Sequence, residues 1–404
     1  THVHTKHSTF CGGVRMNTVC DVNMCAGCMA CVDICPRKAI SVVDDIEYMN
    51  AVIDDTLCIN CNMCHKVCQK NHPADLRKPQ KWLQGWGEEN VRAASSSGGF
   101  GQEIMRSMLR NGGVVAACKL SGREFKFELF EDEKRIPEFI GSKYVKSNPI
   151  GIYQAVKDKL KSGKKVLFIG LPCQVSSMRN YVRDDRNLYT VDLICHGSPS
   201  VKILQQAMEE YGHNLTEVRA IYFRSADKFA IETQPIRIVS KGVQDRYTMA
   251  FLNGLCYTEN CYSCRYAQTE RAGDITIGDS WGTELSGELS KGVSLALCQT
   301  EKGQELLDMM DFNFYDVNIE NAIQCNHQLR HPSDCPKNRK KFFDDLRKGK
   351  SFKQAVFSAY PKTCIKQSVK ELLNKMNLYT GGAMSNPVYT ISIVPYSNNI
   401  SEKI

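Results

Sequence analysis

Two cysteine runs with the same internal spacing constrain this chain more than any other feature. The first is Cys25-x2-Cys28-x2-Cys31-x3-Cys35-Pro36, and the second, 33 residues on, is Cys58-x2-Cys61-x2-Cys64-x3-Cys68. Identical spacing twice reads as an internal duplication. Three thiolates at steps of three surround one four-iron four-sulfur cluster, and the fourth ligates the other cluster of the pair. The expected ligand sets therefore cross: Cys25, Cys28, Cys31 and Cys68 for one cluster, Cys58, Cys61, Cys64 and Cys35 for its twin. The second run ends in Gln69 rather than proline, a departure that touches no ligand. Zinc is the competing reading, but zinc ribbons space their cysteines as two separated pairs. Residues 39–43 and 48–53, between the runs, read as a short strand pair.

Composition narrows the setting. Twenty cysteines in 404 residues, gathered in C-x-x-C runs with no apolar signal segment ahead of them, indicate metal ligation in a reducing cytoplasm rather than disulfides. The net charge of +8 comes from scattered basic residues not interleaved with aromatics, which argues against nucleic-acid binding. A solvated face, or a docking surface for an acidic electron-carrier protein, fits better. No apolar run approaches the length of a membrane span. Residues 1–15, with His2, His4 and His7, read as an N-terminal extension or tag remnant.

The expected organisation is a small bacterial-ferredoxin-like domain over 16–75, a larger domain over 76–360, and a C-terminal helix and tail over 361–404. Residues 70–81 read as a linker and 82–90 as an irregular lead-in. Helices are expected at 100–109, 152–160, from 174, and at 365–376. Strands are expected at 114–117, 125–130, 166–169, 188–194, 218–223, 236–239, 275–277 and 293–298. The mixture points to an α+β or α/β fold with a mixed sheet. Several turns after these strands carry chemistry-bearing residues, where ligands sit in α/β sheets. Ser96-Ser97-Gly98-Gly99 opens a helix and suits a phosphate. Cys173 and Cys195 each follow a strand. A third group, Cys256-x4-Cys261-x2-Cys264, needs a fourth ligand, which Cys195 or Cys173 can supply, and zinc competes with a cluster there. Cys11, Cys20, Cys118, Cys298, Cys325, Cys335 and Cys364 have no ligand spacing and read as structural.

Taken in order, these pieces resemble the beta subunit of the deazaflavin (coenzyme F420) hydrogenase and dehydrogenase family, together with plant hydroxymethyl-chlorophyll reductase. The matching segments are the double cysteine run, Ser96 to Gly99, Gly141-Ser142-Lys143-Tyr144-Val145, Leu171-Pro172-Cys173-Gln174, Asp192 to Gly197, the Cys256 group, Gly273 to Gly282, and Lys291-Gly292-Val293-Ser294. The resemblance implies a non-covalent FAD, contacted by Ser96, Ser97, Gly98, Gly99, Lys143, Tyr144, Pro172, Gln174, Lys291, Gly292 and Ser294. It also implies a third cluster held by the Cys256 group. Lys143 would favour negative charge at the reduced flavin, and His196 would donate a proton. The expected activity is electron transfer from a ferredoxin-type carrier, through the clusters, to FAD and a small organic acceptor. The reverse flow from reduced coenzyme F420, and a relay subunit of a larger redox complex, are the alternatives; a homo-oligomer is compatible with either.

Overall fold

The structure is a computed structural model and describes residues 8–11, 14–183, 185–218, 220–224, 231–234, 238–240 and 242–378. The three N-terminal histidines, the tail from Gly381 and half of the strand expected over 236–239 lie outside those residues.

Duplicated sequence produces duplicated backbone. Ahead of the first run, β1 (Ser8–Cys11) pairs antiparallel with β2 (Val14–Asn17). The runs are joined by the antiparallel ribbon of β3 (Ile40–Asp44) and β4 (Met49–Ile53), as the sequence implies. Each run passes through a left-handed residue, Met29 or Asn62, into a five-residue helix, Ala30–Ile34 or Met63–Val67. Each helix stops on an extended cysteine, Cys35 (φ −74°, ψ 111°) or Cys68 (φ −67°, ψ 117°).

The larger part is built on one eight-stranded sheet. Its strands are β5 (Lys81–Trp86), β6 (Val114–Ser121), β7 (Glu124–Phe130), β8 (Val166–Gly170) and β9 (Leu188–Leu193). A separate ribbon, β10 (Ala220–Tyr222) with β11 (Glu232–Gln234), follows before β12 (Ile275–Asp279), β13 (Ser294–Cys298) and β14 (Asn313–Tyr315). The order across the sheet is β14-β5-β13-β12-β9-β8-β6-β7. The inner four, β12, β9, β8 and β6, run parallel, and the flanking strands run antiparallel. Parallel strands are covered on both faces, which is why β8 is an apolar run and β9 buries even Thr190 and Asp192.

Strand β5 corrects the irregular lead-in. Its apolar pattern is broken by Gln84, yet Gln84 is buried, accepting from Ser280 Oγ at 2.7 Å and donating to Asp316 O at 2.8 Å. A satisfied buried amide hides a strand from a reading based on alternation. The strand expected over 218–223 shrinks to β10 and stays outside the main sheet.

Alternate residues of β6 serve opposite faces. Val115 and Ala117 pack with Leu167, Val191 and the apolar stripe of helix Phe100–Arg110 (Phe100, Ile104, Met105, Met108). Val114 and Ala116 pack with Phe168, Tyr153, Val156, Val175 and Met178, and that core continues without a break into Val19, Ile40, Ala51, Ile53 and Val67 of the dicluster segment. The small segment is thus seated on one face of the sheet. Asp33 accepts from Gly151 N at 2.8 Å, Tyr153 Oη donates to Cys28 O at 2.6 Å, and Ala74 N donates to Ser176 Oγ at 2.9 Å.

Helix Pro172–Val182, which carries much of this seat, is pinned to the sheet by Arg179, 3.0 Å from fully buried Asp274. Asp274 also accepts from Thr190 N and Oγ1 at 2.8 Å and from Thr300 Oγ1 at 2.7 Å. Removing one partner of such a pair leaves the other charge uncompensated, at a cost of about 3 kcal/mol or more. Asp274→Ala should lower the denaturation midpoint accordingly, measured by circular dichroism; unchanged stability would contradict the pinning role.

Candidate metal centres

The two crossed ligand sets fall into two separate cavities. Cys25, Cys28, Cys31 and Cys68 line one, of about 360 Å³, and Cys35, Cys58, Cys61 and Cys64 line the other, of about 340 Å³. The helices explain the crossing. Each carries one cavity's cysteine in its first turns (Cys31, Cys64) and ends on a cysteine of the other cavity (Cys35, Cys68). Backbone amides point at ligand sulfurs in both: Gly27 N to Cys25 Sγ at 3.4 Å, Ala39 N to Cys35 Sγ at 3.3 Å, and Asn60 N to Cys58 Sγ at 3.4 Å. Gly27 sits at φ +66°, and a Cβ there would strike Met49 Sδ, so the approach requires glycine. Buried cysteine rings with inward amides fit four-iron clusters, whose potentials are set by such bonds and by exposure.

Exposure separates the twins. All four cysteines of the first cavity are buried, whereas Cys61 of the second is exposed and its three companions are partly so. Leu57, Ile59 and Met63 around it are exposed as well. The buried centre receives one further bond, from Ser177 Oγ to Cys28 Sγ at 3.1 Å. It also holds a fifth thiol. Cys20, which has no ligand spacing, lines the buried cavity beside Cys25 and Cys68. Its hydrogen bonds to those two cysteines hold the Cys20 thiol far above the usual range and lower Cys25 to about 7. Only tertiary structure brings it there.

A third cavity, of about 720 Å³ and open to solvent, adjoins the buried one, sharing Ala26, Gln69 and Lys70 as walls. Four cysteines line it: Cys173, Cys195, Cys261 and Cys264. The first two stand just past the carboxyl ends of β8 and β9, which are parallel neighbours, so the topology delivers both. Cys261 and Cys264 come from the turn at Glu259–Ser263. Burial pushes the Cys195 thiol up to about 12 and also raises the Cys173 thiol well above its usual range. This corrects the ligand set expected from spacing. Cys256 is fully buried in the apolar core among Leu255, Tyr247 and Phe342 and does not line the cavity, while Cys173 and Cys195, alternatives by sequence, both do. Gln69, where the first run has proline, accepts from Tyr266 Oη at 2.6 Å on the wall between the two cavities. Among the described residues no group of three or more His, Cys, Asp or Glu side chains is arranged to hold a single metal ion.

The remaining expected residues divide. The turn at Ser96 to Gly99 meets Gly292 to Ser294: Ser97 Oγ donates to Val293 O at 3.0 Å, and a Cβ on Gly98 would overlap Gly85 O and crowd Ser294 N. Ser142 N donates to Ser96 Oγ at 3.1 Å. No side chain caps the helix that begins at Phe100. Lys291 is half-exposed nearby. In contrast, Lys143 directs its ammonium at the carbonyls of Phe139, Ile140 and Gly141, which occupies all three of its donors. Burial lowers it to about 8. Tyr144 stacks on Phe251 at 4.3 Å, and Gln174 is buried, bonded to Leu171 N and Ser147 Oγ. Pro172 lines the four-cysteine cavity and starts its helix. His196 lines the same cavity, but burial and then His327 lower it to about 4, and Gln328 Nε2 bonds its Nδ1. In that state the ring is neutral at neutral pH and keeps a single N–H.

The crossing has a direct test. Cys35→Ala should remove the exposed centre and spare the buried one, and Cys68→Ala the reverse, each losing about four irons. Iron release to a chelator separates the two, because the exposed centre is stripped first. Loss of the slowly released iron in C35A would overturn the assignment.

Comparison with known proteins agrees with the geometry. Residues 24–72 match the 4Fe-4S dicluster domain, and residues 163–317 match the family described as the C terminus of the coenzyme F420 hydrogenase/dehydrogenase beta subunit. No curated protein matches the chain. Among solved structures, a chain of the F420-reducing nickel–iron hydrogenase complex from Methanosarcina barkeri is similar over 77% of this chain and 97% of its own, at 19% identity and a TM-score of 0.45. No helix among the described residues is long and apolar enough to cross a membrane. The chain therefore carries a 4Fe-4S dicluster segment over residues 24–72 and, over residues 163–317, a segment similar to the C-terminal domain of the coenzyme F420 hydrogenase/dehydrogenase beta subunit.

Proposed function

We propose that this chain is an iron–sulfur flavoprotein oxidoreductase. Single electrons enter from a ferredoxin-type protein carrier at the exposed centre. They move inward through the buried centre and a third cluster, and reach FAD and a small organic acceptor. The observation that carries this reading is the series of cysteine cavities, graded from the exposed Cys61 to the buried Cys25 set and then to a third ring sharing a wall with it. Clusters carry electrons one at a time, and a flavin exchanges them in pairs.

The third cluster would be held by Cys173, Cys195, Cys261 and Cys264. A zinc ion, which would draw four sulfurs to about 2.3 Å, is the competing occupant of the same four cysteines, and iron content tells the two apart. For FAD the fitting residues are Ser96, Ser97, Gly98, Gly99, Lys291, Gly292 and Ser294. They offer an uncapped helix start and a nearby cation, Lys291, which suit a diphosphate. Lys143, Tyr144 and Gln174 support the neighbouring backbone in this reading, since their polar groups or rings already have partners. The apolar rim of Leu57, Ile59 and Met63 beside Cys61 favours docking of a protein donor there. The family match makes reduced or oxidised coenzyme F420 the first small-molecule partner to try.

Anaerobically purified protein should hold about twelve irons, four per cluster, and one FAD. Cys261→Ala should fall to about eight, while Cys256→Ala keeps all twelve. The bound flavin should be bleached by reduced ferredoxin or reduced coenzyme F420. Bleaching by neither, or a protein without flavin, would sink the reading.

A further inference from the structure

We infer that Lys146 is a counter-charge shared by the buried dicluster centre and the four-cysteine cavity, raising the readiness of both to accept an electron. The inference rests on the third-cluster reading above and deepens it. Lys146 is 6% exposed. Its ammonium donates to Ala26 O at 3.0 Å and to Ser198 Oγ at 3.3 Å. Ala26 lies between Cys25 and Cys28 in the buried centre's ligand loop. Ser198 closes the loop after Cys195, and its carbonyl accepts from Thr258 N at 3.2 Å, ahead of Cys261. One ammonium is therefore moored to the ligand loops of both cavities. The aliphatic stem runs over Gly27, where a Cβ would come within 3.4 Å of the lysine Cδ. Glycine there keeps the stem seated as well as freeing the Gly27 amide for Cys25 Sγ.

Both hydrogen bonds go to neutral oxygens, and the charges that act on Lys146 are cysteines. Burial works to lower its pKa, yet Cys261, Cys173, Cys25 and Cys195 together hold it above the ordinary lysine value. A buried ammonium without a carboxylate is costly to keep. Thiolate-ligated clusters on two sides are the anions that offset it. Reducing a cluster adds one negative charge, so a fixed positive charge beside it stabilises the reduced state. Placed between two centres, that charge favours reduction of both and keeps an electron from being trapped on one. The exposed centre's cysteines line a separate cavity whose walls do not include Lys146.

The test is redox titration followed by electron paramagnetic resonance, on the whole chain. Lys146→Met keeps the stem and removes the charge. Its two inner centres should each become harder to reduce by about tenfold in the reduced-to-oxidised ratio, ~59 mV for a one-electron couple. The exposed centre should not move, and Lys146→Arg should restore most of the shift. Lys146→Gln retains a donor for Ala26 and should show the same shift as the methionine variant, which separates charge from mooring. Unshifted inner potentials in both neutral variants, or equal shifts at all three centres, would overturn the inference. Iron content separates this from the underlying reading. About eight irons in the unsubstituted protein rejects the third cluster, and about twelve with unmoved potentials rejects Lys146 alone.

Discussion

The seating of one helix, Pro172–Val182, between the dicluster segment and the sheet ties the buried centre to the third cavity. Cys173 lies in its first turn and faces the third cavity. Ser177 reaches the other way, to Cys28 Sγ, and Ser176 accepts from Ala74 N. Asn180 donates to the carbonyls of Val67, within the second cysteine run, and His72, just beyond it. Arg179, on the remaining face, is anchored by Asp274. A shift of this helix would change the ligand geometry of the third cavity and the bonding of the buried centre together. Its support is correspondingly dense: a capping arrangement from Gln174, a proline at its start, and an apolar face of Val175 and Met178 in the shared core.

The arrangement makes burial a directional property. An exposed centre can exchange electrons with a partner protein but is open to solvent and oxygen. A buried one is protected but out of reach. Duplicating the cysteine run and crossing its ligands places one of each within a short segment, joined through two five-residue helices. The fixed N–H donors at Cys25, Cys35 and Cys58, the Ser177 hydroxyl and the Cys20 thiol then give each centre a different surrounding from the same ligand chemistry. Hydrogen bonding, net charge and exposure are the means by which protein sets cluster potential.

The sequence makes the dicluster segment legible down to which cysteines line each cavity, because four cysteines at fixed steps leave little geometric choice. It makes most strands of the sheet legible for a related reason: β8 is an apolar run bounded by turn residues. What it hides are features that depend on distant partners. Gln84 interrupts the apolar pattern of β5 and is satisfied by the distant Ser280, Glu284 and Asp316. Cys256 keeps ligand-like spacing to Cys261, yet its side chain turns into the core. Cys173 and Cys195, 22 residues apart in sequence, stand together because their strands are parallel neighbours. Lys143 and Gln174 read as facing a ligand, and the structure gives them internal partners instead. Cys20 and Lys146 carry no spacing signal at all.

The central claim is that the three cysteine cavities form one continuous path with the buried dicluster centre in the middle. Electron paramagnetic resonance of the fully reduced protein tests it most directly, comparing the intact chain with a Cys25→Ala variant that lacks the middle centre. The account predicts a broadened, spin-coupled spectrum in the intact chain, resolving into two non-interacting signals in the variant. A spectrum of independent clusters in the intact chain, or coupling that survives loss of the middle centre, would contradict it.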